Sequence, residues 1–275
     1  MPDPTQLQHL IKLLDDDSDI VRETVLKELA AYGPSLETEL IRQHIQPSEN
    51  EKQIMQDILE GHNRTWLKEQ WSSWKTIRED KQRLEAALSL LSAFQTGTRN
   101  RKKLPSLLDE LAQEFKSGSL VKDARGLADF LFDVKGIQGA ISSEYYDPQN
   151  SDLVFVVEQK RGIPISLASI YILEGARLGI KIEGCNFPGH FLTTANYNRK
   201  KVIVDCFDGG RFISDKEIAF LNDSLPVTAK ELKRLECNAD TIIMRALRNL
   251  INAYHKSDEL ENERLMIELL EKTLP

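Results

Sequence analysis

Apolar residues recur at helical spacing over most of the first 135 residues of the chain. One apolar stripe begins at Leu7, and a second follows the acidic turn at residues 15–19. A period near 3.6 residues places such side chains on one face of a helix. We therefore predict two helices within residues 5–46, and further helices over 49–95 and 105–135.

The pattern changes around the middle of the chain. Residues 163–179 are apolar on nearly every helical face, which is typical of a helix buried on all sides. Apolar and polar positions then alternate with period two over 180–184, 190–196 and 201–207, as expected for short strands. Helical spacing returns from residue 228. The chain is therefore predicted to be α+β and mostly helical, with a buried central helix, a short antiparallel sheet and flanking helical hairpins.

This pattern divides the 275 residues into three predicted regions. Residues 1–98 form a helical N-terminal region, whose first hairpin resembles one HEAT-type repeat. Residues 105–225 form the core, and residues 228–275 form a C-terminal hairpin that resembles the tetratricopeptide type. Within the core, we predict a helix over 152–160 that is capped by Asn150 or Ser151.

Charge and composition exclude several classes of function. The chain has 36 basic and 43 acidic residues, a net charge of −7, which argues against a general binder of nucleic acid or of anionic membranes. No stretch approaches the roughly 18 apolar residues of a membrane span, and we expect no secretory signal. Three cysteines make no disulfide framework, so a reducing, cytoplasmic location is predicted.

The residues that suggest chemistry are concentrated in 145–210. In chain order, this segment contains the strings YYDPQNS, RGIPISL, GCNFPGHF and VDCFDGG. Several separate motifs in this order resemble the SirB-type transglutaminase-like family. The resemblance is strong over about 145–215 and weaker over about 105–275, and it does not include the N-terminal hundred residues.

The resemblance implies a papain-type core with a Cys–His–Asp triad in that chain order. The cysteine of the superfamily lies at the N-terminus of the central helix, where the helix dipole favours a thiolate. The histidine corresponds to His190 and the aspartate to Asp205, which would fix the histidine tautomer. No cysteine lies in residues 162–166, and Ser166 or Pro164 occupies the neighbourhood of the nucleophile.

Three hypotheses follow for the function of this site. The first is a degenerate transglutaminase-like fold that serves as a regulatory or interaction module and binds a protein or peptide segment near His190. The second is an amide or ester hydrolase, or an acyl transferase, that uses Ser166 with His190 and Asp205. In the third, Cys185 supplies the nucleophile instead. The first is preferred, because a helix N-terminus alone does not ionise a serine hydroxyl.

Other residues of the segment have smaller predicted roles. Asn150, Gln159 and Pro164 are predicted to line the cleft. A metal site of Cys185, His190 and Asp205 is conceivable, but no pair of them has the spacing of metal ligands, so neither a metal nor a cofactor is predicted. Alternation along the strand places Cys206 on the opposite face from Asp205, in the core.

Overall fold

The computed structural model describes residues 6–14, 16–32, 35–96, 103–187, 189–214, 217, 231 and 235–274. The chain divides into two compact units, residues 1–70 with 96–101 and residues 71–95 with 102–275. The three regions predicted from the sequence are a different partition and stay a prediction, and their boundary at 225–228 lies outside the described residues.

Four helices make up most of the described residues of the first unit. They are α1 (Leu7–Lys12), α2 (Asp19–Ala30), α3 (Ser35–Arg42) and α4 (Glu49–Gln70). Apolar side chains from all four, including Leu7, Leu29, Leu36 and Met55, form one buried cluster. The prediction of two helices within 5–46 was wrong, because the structure has a third helix after residue 34.

The described residues of the second unit contain seven further α-helices. They are α5 (Asp80–Thr96), α6 (Leu104–Ser117), α7 (Ala124–Ala128), α8 (Leu153–Gln159), α9 (Pro164–Leu178), α10 (Ala239–Lys256) and α11 (Leu260–Thr273). Short 3-10 helices cover Trp71–Thr76, Ser142–Glu144 and Pro148–Ser151. Helix α8 is capped by Asp152, whose carboxylate accepts the N–H of Val154. The prediction of Asn150 or Ser151 as its cap was wrong.

Seven short strands are also found in the part of the second unit that the structure describes. They are β1 (Gln138–Gly139), β2 (Arg161–Gly162), β3 (Ile182–Cys185), β4 (Leu192–Tyr197), β5 (Lys200–Asp205), β6 (Arg211–Ile213) and β7 (Glu236–Cys237). Strands β1 and β2 form a parallel pair, and the other five form an antiparallel sheet in the order β6-β5-β4-β3-β7. The mostly helical α+β class predicted from the sequence is confirmed.

Helix α9 is the centre of the second unit. Its residues from Pro164 to Gly175 are all buried, and the helix packs against α6, α7 and α8 as well as strands β3 and β4. Burial on every side explains why its sequence is apolar on nearly every face. The helix therefore fixes where the sheet lies relative to the segment that precedes residue 164.

The first and last elements of the second unit contact each other directly. The indole N–H of Trp71 donates to the carbonyl of Leu269, 3.2 Å away, and to the hydroxyl of Thr273, 3.1 Å away. Trp71 and Trp74 are buried edge to face, with ring centroids 5.9 Å apart. Within the described residues, no helix is both long and apolar enough to cross a membrane.

Candidate functional site

His190 and Asp205 meet where two neighbouring strands of the sheet end. Gly189 has a φ of +78°, a left-handed conformation that turns the chain immediately before His190 and strand β4. Asp205 is the last residue of β5, the antiparallel neighbour of β4. The Nε2 of His190 lies 2.8 Å from Oδ2 of Asp205, so the structure brings together the two residues that the family motif matched.

The carboxylate of Asp205 is held from two sides. Its second oxygen, Oδ1, accepts the backbone N–H groups of Phe207 at 3.0 Å and Asp208 at 3.1 Å. Burial acts to raise the pKa of Asp205, but the hydrogen bond and charge of His190, with the two N–H groups, outweigh it and hold this pKa below its ordinary value. Asp205 is therefore ionised at neutral pH.

The ionised carboxylate assigns the tautomer of His190. A carboxylate only accepts hydrogen bonds, so Nε2 must carry the proton and Nδ1 is the basic nitrogen of the neutral ring. Among the residues that the structure describes, Nδ1 has no hydrogen-bond partner, and 29% of the side chain is exposed. Nδ1 is thus the atom of this pair that can accept a hydrogen bond from a bound molecule.

Ser166 lies in the first turn of α9 and is used inside the protein. Its side chain is almost fully buried, and its hydroxyl donates to the backbone carbonyl of Asn150 at 2.7 Å. The described part of the chain contains no hydrogen bond between Ser166 and His190. The Ser–His contact that a serine hydrolase requires is therefore not formed in this arrangement.

Asn150 ties the preceding loop to the start of α9. Besides the Ser166 hydroxyl, its carbonyl accepts the N–H of Ile163 at 3.4 Å, and its side-chain amide donates to the carbonyl of Glu144 at 2.6 Å. Asn150 is buried, and its Oδ1 has no partner in the described structure. Of the other two predicted cleft residues, Pro164 is buried at the start of α9 and Gln159 is exposed at the end of α8.

All three cysteines have thiols that are hard to ionise. Cys185 is fully buried in an apolar cluster with Phe187 and Leu192, and burial raises its pKa to about 12. Cys206 is fully buried near Thr193, as alternation predicted, and burial raises its pKa too. Burial also raises the pKa of Cys237 to about 11. A nucleophilic cysteine needs a thiolate, so none of these environments favours that role.

In the described ranges of the chain, no three histidine, cysteine or acidic side chains are grouped so that they could hold a metal ion. Cys185 lies in an apolar cluster with Phe187, Leu192, Ile203 and Ile213.

Aromatic rings extend the site away from His190. The ring of Phe207 stands edge-on to His190, with centroids 6.2 Å apart, and Tyr145 stands edge-on to Phe207 at the same separation. Phe207 packs onto the backbone of Gly139, where a Cβ atom would lie 2.6 Å from Cε2 of the ring. Sequence reasoning missed all three residues, although Phe207 and Tyr145 lie in the strings VDCFDGG and YYDPQNS.

A central buried helix, an antiparallel sheet and a His–Asp pair at its strand ends make up a transglutaminase-like fold. Residues 98–248 match the model of the transglutaminase-like superfamily, which is more than half of the chain. The chain belongs to that superfamily. The matched residues include Ser166, His190 and Asp205.

Several curated proteins are similar to this chain. The UPF0162 protein of Xylella fastidiosa strain Temecula1 is 35% identical over 153 residues, 53% of this chain and 54% of that protein. The UPF0162 protein of Vibrio cholerae is 34% identical over 66 residues, 24% of each chain. Mouse F-box only protein 21 is 34% identical over 65 residues, 24% of this chain and 10% of that protein.

The extent of these matches is limited. The chain spans about half the length of the first curated relatives that it matches. No solved structure matches the chain.

Proposed function

We propose that this protein is a non-catalytic, SirB-type member of its superfamily, which binds a protein or peptide segment at the His190–Asp205 pair. In this role it acts as a regulatory interaction module in the cytoplasm. The SirB-type assignment rests on the order of the four sequence strings. The location rests on three cysteines that form no disulfide framework.

The observation that carries the proposal is the hydrogen bond from Ser166 to the carbonyl of Asn150. A serine becomes nucleophilic when an adjacent base takes its proton, and here the proton is directed to a buried backbone carbonyl. The three cysteines give no substitute, because burial raises the pKa of each thiol. The hydroxyl of Ser166 thus serves the structure of the protein, which favours a non-catalytic role.

The His190–Asp205 pair and the aromatic rings beside it support the binding part of the proposal. The basic Nδ1 of His190 can accept a backbone N–H from an extended peptide, and the carboxylate of Asp205 keeps the ring in the tautomer that does so. The rings of Phe207 and Tyr145 provide apolar surface beside it. Aromatic side chains of this kind contribute strongly to peptide affinity at low conformational cost.

Chemical labelling of the full chain tests the absence of catalysis. The chain and its His190→Ala variant are treated with a serine-directed fluorophosphonate and with iodoacetamide, and labelled residues are located by mass spectrometry. We expect no labelling that depends on His190. Fluorophosphonate on Ser166 that disappears in His190→Ala would instead establish the hydrolase hypothesis, and alkylation of Cys185 with the same dependence would establish the thiol hypothesis.

Binding is tested on an array of random dodecapeptides that are acetylated and amidated at their ends. We expect a set of peptides that binds the wild-type chain and not His190→Ala or Phe207→Ala. His255→Ala is the matched control, because His255 is an exposed histidine of α10 that contacts Glu263. Identical binding profiles for all four chains would contradict the proposal.

A further inference from the structure

Arg245 of helix α10 holds the segment that leads to His190. Its Nη1 donates to the side-chain oxygen of Asn186 at 2.6 Å and to the carbonyl of Phe187 at 2.9 Å. The guanidinium also lies 5.4 Å from the ring centroid of Phe191, the residue after His190. Arg245 therefore contacts the chain on both sides of the histidine.

The charge of Arg245 has no acidic partner among the residues that the structure describes. Arg83, Arg161 and Arg177 are likewise partly buried, and each pairs with a carboxylate. Arg245 is half-buried, yet no carboxylate of the described residues pairs with it, and its Nε and Nη2 make no hydrogen bond there. Burial and the neighbouring positive charge of Arg248 both lower its pKa. Buried charges are normally paired, and a half-buried guanidinium with two unused nitrogens can accept an anionic ligand at low desolvation cost.

Tyr145 links this cation to the His190 site. Its ring contacts Phe207, which in turn contacts His190, and the positive charge of Arg245 acts on its phenol to lower a pKa that burial raises. In the described structure, the hydroxyl of Tyr145 has no hydrogen-bond partner. Tyr145 thus contributes an unused hydroxyl to the aromatic surface of the site, and Arg245 contributes two unused guanidinium nitrogens beside the segment that leads to His190.

We propose that Arg245 forms a subsite for a carboxylate group of the peptide segment bound at His190. This inference rests on the proposed function and specifies its ligand as an acidic one. A planar guanidinium matches a carboxylate in two parallel hydrogen bonds, and a partly desolvated setting strengthens them. The carboxylate comes from an acidic side chain or from a free peptide C-terminus, which share this chemistry.

The subsite is tested with a small dicarboxylate, glutarate, and with its neutral analogue glutaramide. Each is titrated into the full ¹⁵N-labelled chain while the Nε–Hε signal of Arg245 and the ring signals of His190 are followed by NMR. We expect saturable shifts of both with glutarate and none with glutaramide. Absence of a saturable shift at Arg245, or equal shifts with both compounds, would overturn the inference.

Variants separate the charge of Arg245 from its structural contacts. Arg245→Gln keeps an N–H donor for Phe187 and removes the charge, and we expect glutarate to bind roughly tenfold to a hundredfold more weakly. Arg245→Lys keeps the charge but lacks the planar guanidinium. Its affinity for glutarate should lie between those of the wild type and Arg245→Gln. Arg264→Gln, which changes an exposed arginine of α11, should bind as the wild type does. Circular dichroism establishes that each variant is folded.

The peptide array then distinguishes the two sources of carboxylate and the two proposals. Peptides that carry Glu or Asp are compared with their Gln or Asn counterparts, and free C-termini with amidated ones. Peptides that depend on His190 but show no carboxylate preference would overturn this inference and leave the proposed function in place. Glutarate binding at Arg245 without any peptide that depends on His190 would support the carboxylate subsite and overturn the proposed binding of peptides at His190.

Discussion

The start of helix α9 and the end of strand β5 belong to one fold but use their polar side chains in opposite ways. At the start of α9, the hydroxyl of Ser166 is buried and donates to a backbone carbonyl. At the end of β5, Asp205 orients His190, whose second ring nitrogen has no partner among the described residues. The first region satisfies its own hydrogen bonds, and the second keeps a hydrogen-bonding atom at a partly exposed surface.

This difference shows which interactions serve structure and which are available to a ligand. A buried donor that finds an internal acceptor contributes to stability and cannot act on a bound molecule at the same time. The oriented imidazole of His190 uses one ring nitrogen within the protein, and its second nitrogen is available to a bound molecule. Variants on each side should therefore change different measurements.

Glu174, two turns further along α9, is predicted to give the largest effect. It is fully buried, and neither carboxylate oxygen has a hydrogen-bond partner in the described structure. The charges that face it are those of Arg177 on its own helix, Glu85 of α5, and Asp109 and Lys116 of α6. Burial dominates and raises its pKa to about 8, so the folded chain holds this group protonated at neutral pH.

The sign of the pH effect follows from the two pKa values. In the unfolded chain Glu174 ionises near 4.5, so between pH 4.5 and 8 the folded state binds more protons and the free energy of unfolding falls as pH rises. Its contribution is at most roughly 4–5 kcal/mol over this window. Urea unfolding should show that Glu174→Gln gains stability over the wild type with rising pH, whereas Glu261→Gln, an exposed control on α11, should not. If the difference in unfolding free energy between Glu174→Gln and the wild type did not change with pH, the argument that burial raises the pKa of Glu174 would be contradicted.

Asp205→Asn is expected to have the next largest effect on stability. It changes the end of β5, the second of the two regions compared. The substitution removes a charge-assisted hydrogen bond to His190 and weakens those from Phe207 and Asp208, at a cost of about 1.5–3 kcal/mol in unfolding free energy. Because the pKa of Asp205 is lowered in the folded chain, its contribution is present at neutral pH and is lost as pH falls through that value.

Two measurements define the outcome for this variant. Urea unfolding gives its stability, and ¹⁵N chemical shifts of the His190 ring report which nitrogen carries the proton. Asp208→Asn is the control, because its side chain is exposed and bonds to Arg211. If Asp205→Asn left the His190 tautomer unchanged, orientation by Asp205 would not be the basis of the site.

The smallest expected effect comes from Ser166→Ala, for which Ser169→Ala is a matched control. Both serines are buried on α9, but only the Ser166 hydroxyl has an acceptor, whereas that of Ser169 has none in the described structure. We expect Ser166→Ala to lose about 1 kcal/mol and Ser169→Ala to be neutral or slightly stabilising. Urea unfolding measures both. Equal losses would mean that the bond to Asn150 contributes nothing specific.

Much of the fold was predictable because its strongest signals are local. The apolar run 163–179 anticipated α9 within one residue at each end, and alternation anticipated β4 and β5 within two residues. Strands β1, β2, β6 and β7 were missed, since each has only two or three residues and exists through pairing with another segment. A pattern of period two cannot be recognised over so short a length.

The candidate site was predictable to a similar extent. His190 and Asp205 were identified from motif order, and the structure places them in contact. The acceptor of the Ser166 hydroxyl was not predictable, because Asn150 lies sixteen residues earlier in the chain and meets Ser166 only in the folded structure. Arg245 was missed for the same reason, since it lies 55 residues beyond His190 and approaches it only through packing of α10.

The contact of Trp71 with α11 has a consequence for how the chain folds during synthesis. The two ends of this hydrogen-bonded pair are about 200 residues apart in sequence. Closure over such a distance is slow and must wait for both segments. The second unit therefore cannot complete its structure until residue 273 has left the ribosome, whereas the four helices of the first unit are available to fold long before that.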